Sequence, residues 1–112
     1  MKYLLSLLAL ATVLSAAAQE SSNKRPLPLV NVKNAKGETV NTGTFDNGGK
    51  PFIIDFWATW CKPCIQELDA INDQYEEWQK TTGVKVIIIS LDDARTMQRV
   101  APFVNARGWT YE

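Results

Sequence analysis

The chain has 112 residues, with 12 Lys plus Arg balanced by 12 Asp plus Glu, two cysteines and no histidine. That length holds a single domain, and the charge balance excludes a polybasic nucleic-acid surface or an acidic solvating tail. Without histidine, two thiolates fall short of the four ligands that a closed zinc site takes.

The N-terminal segment carries a positive charge at Lys2, an apolar run over residues 4–14 broken only by Ser6 and Thr12, and an A-x-A cleavage signal in Ala16-Ala17-Ala18. Residues 1–18 read as a secretory signal peptide. A bilayer core takes roughly 20 apolar residues to span, so a retained membrane anchor is the less favoured reading. The protein left after cleavage is expected to be free of stable membrane insertion. Residues 19–26 form a short polar leader.

Residues 27–32 alternate weakly, as an edge strand does, with Pro28 tolerable only near its start. A turn over residues 34–38 leads to a second short strand over residues 39–45, returning beside the first. The loop Asp46-Asn47-Gly48-Gly49-Lys50-Pro51 then precedes a core strand over residues 52–58. That strand is apolar on both faces apart from Asp55, the pattern of a strand covered by helices on both sides.

Pro63 stands where a helix has its first turn and where a missing N–H costs nothing. Ile65, Leu68, Ile71, Tyr75 and Trp78 then recur at spacings of three and four and define a buried face. Gly83 ends the helix. Residues 84–91 are rich in β-branched side chains and predict a second buried strand, which makes a βαβ unit with a right-handed connection. Asp92-Asp93 is expected to cap a second helix through Met97, Val100, Ala101 and Val104, kinked or divided at Pro102 and closed by Gly108. Trp109-Thr110-Tyr111 reads as the start of another strand.

Chemistry concentrates in Trp60-Cys61-Lys62-Pro63-Cys64, which holds both cysteines at the junction of strand and helix. Such a pair can close and reopen a small disulfide. Helix N-terminal N–H groups acidify the first thiol, to roughly 3.5 to 7.5 in motifs of this kind. Lys62 adds a cation favouring the Cys61 thiolate, and Pro63 stiffens the turn. A purely structural disulfide gains little from so short a loop. Two thiolates could hold a soft ion such as copper(I), so a copper or haem-maturation accessory role is the alternative, with further ligands from a partner.

The segment Phe56-Trp57-Ala58-Thr59-Trp60-Cys61-Lys62-Pro63-Cys64 resembles the active-site segment of the thioredoxin superfamily, and the Ala-Thr-Trp-Cys wording resembles its TlpA-like branch of periplasmic thiol-disulfide oxidoreductases. The resemblance implies an α/β thioredoxin-like fold, a central mixed sheet with flanking helices, over residues 27–112. It implies Cys61 as nucleophile, Cys64 as resolving thiol, and Asp55 as the buried acid that takes the Cys64 proton. Trp57 and Trp60 match the family's aromatic flank, Trp57 as core and Trp60 as part of a contact surface.

The implied activity is reduction of disulfides in exported, periplasmic proteins through a redox-active Cys61–Cys64 disulfide, without a bound cofactor and with electrons from a membrane thiol carrier. Lys62, by favouring the thiolate, pushes the other way, toward oxidant behaviour. Peroxidase chemistry is discounted, because the peroxidatic pattern Pro-x-x-x-Thr-x-x-Cys places its threonine three residues before the cysteine and Thr59 lies two before Cys61. The family's further strand pair, final helix and cis-proline have no counterpart in this sequence, which is therefore expected to be a C-terminally incomplete piece of a longer protein or an inactive truncated one.

Overall fold

The computed structural model describes residues 25–112; the expected signal peptide and most of the polar leader lie outside them. Two strands, β1 (Asn31–Lys33) and β2 (Thr39–Asn41), form an antiparallel hairpin in the register Asn31 to Asn41, Val32 to Val40 and Lys33 to Thr39. The Asn34 carboxamide oxygen accepts the Lys36 and Glu38 N–H groups and shapes the turn between them.

Both strands are shorter than their sequence pattern suggests. Pro28 has no N–H to give a ladder, so Thr42 ties down the Pro28–Val30 stretch, its N–H donating to the Val30 carbonyl at 2.9 Å. The buried Thr42 hydroxyl donates to the Pro28 carbonyl at 2.6 Å and accepts the Val30 N–H at 2.9 Å. On the other strand the Asn41 side chain accepts the Gly43 N–H and turns residues Thr42–Thr44 into a 3-10 turn.

Strand β3 (Phe52–Trp57), helix α1 (Lys62–Thr82) and strand β4 (Lys85–Ser90) form the expected βαβ unit, with β3 and β4 parallel from Phe52 opposite Lys85 to Trp57 opposite Ser90. Gly83, at φ 68°, ends α1 in the left-handed conformation that glycine adopts without a Cβ penalty. On α1, Ile65, Leu68 and Tyr75 are buried, Ile71 is half-buried, and Trp78 stands at the margin of the face, 36% exposed.

The expectation that β3 is covered on both faces needs correction. Phe56 and Ile53 point to opposite sides by strand alternation, and both are substantially exposed, 58% and 44%. Among the described residues β3 pairs with β4 alone, and the hairpin forms a separate sheet. An apolar run reports what a strand can bury, and the neighbours present decide what it does bury.

The region after β4 also departs from expectation. A 3-10 turn (Met97–Arg99) leads into helix α2 (Val100–Arg107). Pro102 therefore falls in the first turn of α2, where its missing N–H has no intrahelical acceptor to lose, and it does not divide the helix. Asp92 caps no helix. Asp93 closes the local turn, its carbonyl accepting the Thr96 and Met97 N–H groups. Gly108, at φ 66°, ends α2 as expected.

The last residues behave as the start of a strand. The Glu112 N–H donates to the Val86 carbonyl at 3.1 Å and the Ile88 N–H to the Glu112 carbonyl at 2.8 Å. These two bonds bracket Ile87 as a parallel ladder does. Trp109 and Tyr111 then fold back on α1: the Trp109 indole donates to Asp69 at 2.9 Å and the Tyr111 hydroxyl to the Leu68 carbonyl at 2.5 Å. Trp57, Ile65, Leu68 and Trp109 make the core cluster, with Cys64, Ile88, Val100, Phe103, Val104 and Tyr111 packed around it. The core therefore lies directly beneath the cysteine pair.

Candidate active site

β3 runs out at Trp57, and a tight turn carries the chain over residues 58–61 into α1. Trp57 and Ala58 are each 1% exposed, anchoring the near side of the turn in the core. The Cys61 N–H donates to the Ala58 carbonyl at 3.0 Å, and the Cys61 carbonyl accepts the Ile65 N–H at 3.1 Å. Cys61 is thus the N-cap of a 21-residue helix, and no side chain caps the N–H groups there. The unfilled first turn is the electropositive end of the helix, and it carries a sulfur.

Cys61 and Cys64 are joined in a disulfide with their Cα atoms 5.3 Å apart. Both residues are half-buried, so their exposure differs less than a fully open nucleophile above a covered partner implies. What distinguishes them is position: Cys61 precedes the helix, whereas Cys64 sits in its first turn and packs on the Trp57, Ile65, Leu68 and Trp109 cluster. Lys62 and Pro63 are exposed at the first two helical positions. Trp60, at 66% exposed, projects beside the cysteines, while Trp57 is core.

Asp55 lies two residues before Trp57 on β3 and is half-buried. Burial pushes its carboxyl above the usual 3.8, and the Glu67 charge adds to the rise. The folded protein therefore holds this proton more tightly than the unfolded chain does. The stability associated with it is complete below pH 3.8 and falls as pH rises through the elevated value.

A residue that sequence reasoning placed elsewhere also belongs to this neighbourhood. The Asp92 carboxylate, just past β4, accepts the Thr59 N–H at 2.8 Å, the Thr59 hydroxyl at 2.5 Å and the Ser90 hydroxyl at 2.6 Å. Partial burial opposes its charge, but the hydrogen bonds from Ser90 and Thr59 win, and its pKa is lowered to about 2. The signal in the sequence was faint: Ser90-x-Asp92 directly after a strand fits a carboxylate turned back toward the adjacent strand end as well as it fits a helix cap.

A βαβ unit whose helix begins at a Cys-x-x-Cys disulfide defines a thioredoxin-like thiol-disulfide protein. Residues 24–112 match the AhpC/TSA family, and the chain belongs to it. Among curated relatives, the thiol-disulfide oxidoreductase ResA of Oceanobacillus iheyensis is 45% identical over 47 residues, which cover 42% of this chain and 24% of that protein. A thioredoxin-like protein from Porphyromonas gingivalis has a solved structure that superposes with a TM-score of 0.67 at 48% identity, over 76% of this chain and 56% of that one. For a thio-disulfide isomerase from Thermus thermophilus the values are 0.57 and 30%, over 76% and 55%. The chain thus spans little more than half the length of these solved structures, and its match to the curated relative covers about a quarter of that protein. These likenesses bear out the thioredoxin-like fold read from the sequence.

Proposed function

We propose that this chain catalyses thiol-disulfide exchange, acting as a reductase on the disulfides of exported proteins. The observation that carries this is the Cys61–Cys64 disulfide at the uncapped N-terminus of α1. In the reduced protein the Cys61 thiolate attacks one sulfur of a substrate disulfide. A Cys61–substrate disulfide forms, and the first substrate sulfur leaves as a thiolate that solvent protonates. Cys64 then loses its proton and attacks the Cys61 sulfur, expelling the second substrate thiolate. Two electrons have passed from the Cys61 and Cys64 thiols to the substrate, and the protein is left with the disulfide seen in the structure. A membrane thiol carrier that gives up two electrons returns it to the dithiol.

Asp55 is the proton acceptor for Cys64 in this reading. A carboxylate with a raised pKa is a better base near neutral pH than an ordinary one, and the half-buried position of Asp55 on β3, two residues before Trp57, supports the role. Lys62 favours the Cys61 thiolate, Pro63 limits backbone change between the two redox states, and Trp60 offers an exposed aromatic face to a substrate chain. Asp55→Asn is expected to slow resolution of the mixed disulfide at neutral pH while leaving the protein folded and no less stable there, since it removes the charge that burial penalises. Stopped-flow resolution rates with a parallel urea titration check this; an unchanged rate returns Asp55 to a purely structural role.

Export follows from the same reading. Residues 1–18 direct the chain to the periplasm and are removed, and among the described residues no helix is long and apolar enough to cross a membrane. The mature protein is expected to begin at Gln19, as the intact mass from an envelope fraction reads directly. A mass that still includes Met1 contradicts it. The experiment that tests the exchange reading itself is reduction of a protein disulfide by the pre-reduced chain, with the cysteine variants taken up in the Discussion.

A further inference from the structure

Thr59 and Asp92 are 33 residues apart in sequence and meet through both oxygens of one carboxylate. Oδ2 accepts the Thr59 backbone N–H and the Ser90 hydroxyl, and Oδ1 accepts the Thr59 hydroxyl. The Asp92 N–H in turn donates to the Ser90 hydroxyl at 3.0 Å, so the carboxylate is itself held in place. The parallel ladder continues into this region, with the Leu91 N–H donating to the Trp57 carbonyl at 2.8 Å. Two charge-assisted bonds to Thr59 therefore fix the middle of the turn over residues 58–61, which otherwise has one internal hydrogen bond, from Cys61 to Ala58.

A nucleophile on a turn is only as well aimed as the turn. The N–H groups of the first helical turn stabilise the Cys61 thiolate when the sulfur lies near the helix end, and this effect fades within a turn's distance. Neither Asp92 nor Ser90 is part of the cysteine motif, and neither needs to touch substrate. We propose that Asp92 is a positioning residue for disulfide exchange: by clamping Thr59 it holds the Cys61 sulfur against the N-terminus of α1. The inference rests on the exchange reading and adds to it a residue outside the motif.

Two effects of removing Asp92 oppose each other. Loss of its negative charge by itself favours the Cys61 thiolate, whereas loss of the clamp disfavours it. The variants Asp92→Ala, Asp92→Asn and Thr59→Val separate them, since Asn keeps one acceptor without charge and Val keeps the charge while losing the hydroxyl donor. The readouts are the pH midpoint of Cys61 alkylation in the reduced full chain and the position of its equilibrium with a glutathione redox buffer, on samples whose fold is checked by circular dichroism.

Positioning predicts that Asp92→Ala raises the alkylation midpoint and shifts the glutathione equilibrium at least threefold toward the disulfide. Thr59→Val is expected to move both in the same direction and Asp92→Asn to move them less. Combining Thr59→Val with Asp92→Ala should add little, because both remove one interaction. If Thr59→Val is silent while both Asp92 variants lower the midpoint, charge alone is at work and the positioning role is overturned. It is equally overturned if all variants are folded and neither readout moves. A wild-type Cys61 that alkylates like an ordinary thiol refutes the exchange reading itself, and the inference falls with it.

Discussion

Cys61→Ser is expected to bring reduction of a protein disulfide to the uncatalysed background, with the fold intact. The hydroxyl that replaces the thiol is not ionised near neutral pH and cannot form the mixed disulfide, so no part of the reaction survives. Structural cost should be small. Cys61 is half-buried, its side chain makes no capping bond, and the backbone bonds through its N–H and carbonyl do not depend on the sulfur. Serine is moreover a favoured N-cap residue, which offsets part of whatever the disulfide contributes across so short a loop. Residual activity in Cys61→Ser above the level of a Cys61→Ser/Cys64→Ser double variant would assign the nucleophile to Cys64 and reverse the proposed roles.

Leu68→Ala is expected to destabilise the fold severely. Leu68 is fully buried at the centre of the cluster formed with Trp57, Ile65 and Trp109, and its carbonyl receives the Tyr111 hydroxyl. Truncation of a buried leucine to alanine removes transfer free energy and leaves a cavity, together about 2 to 5 kcal/mol. Against a usual domain stability of roughly 5 to 15 kcal/mol, that is a large fraction. The rigid aromatic neighbours make collapse of the cavity difficult: Trp57 and Trp109 meet edge to face with ring centroids 5.2 Å apart, and Phe103 lies 5.6 Å from Trp57. Urea unfolding should show a lower midpoint with an unchanged slope. A loss below about 1 kcal/mol would mean that the cluster is not the main core. Because Cys64 packs on the same cluster, the variant should also loosen the seat of this cysteine, the resolving thiol of the proposed mechanism.

The parts of the molecule that could be read from sequence are those set by local chemistry. The cysteine pair, the helix beginning at it, the glycines that end both helices and the β-branched strand Lys85–Ser90 each follow from a pattern contained within a few residues. The start of α2 was misplaced because Asp92-Asp93 satisfies the local rule for a helix cap, while a contact with Thr59 across 33 residues takes the Asp92 carboxylate away. No periodicity announces such a pairing. Likewise Phe56 reads as core because its neighbours are apolar, yet its exposure depends on elements that the strand itself does not encode. Thr42 shows the same principle in the hairpin, where its hydroxyl and N–H tie down the stretch that Pro28 keeps out of the ladder.

In the proposed exchange Cys61 attacks and Cys64 resolves. This assignment is tested most directly by exposing reduced Cys64→Ser protein to a disulfide-containing protein such as insulin, quenching with acid, and locating the attached chain by peptide mass mapping. The proposed mechanism predicts a stable adduct joined through Cys61, absent from Cys61→Ser and transient in the wild type. Failure of Cys64→Ser to accumulate any adduct, while the wild-type chain reduces insulin, would contradict it.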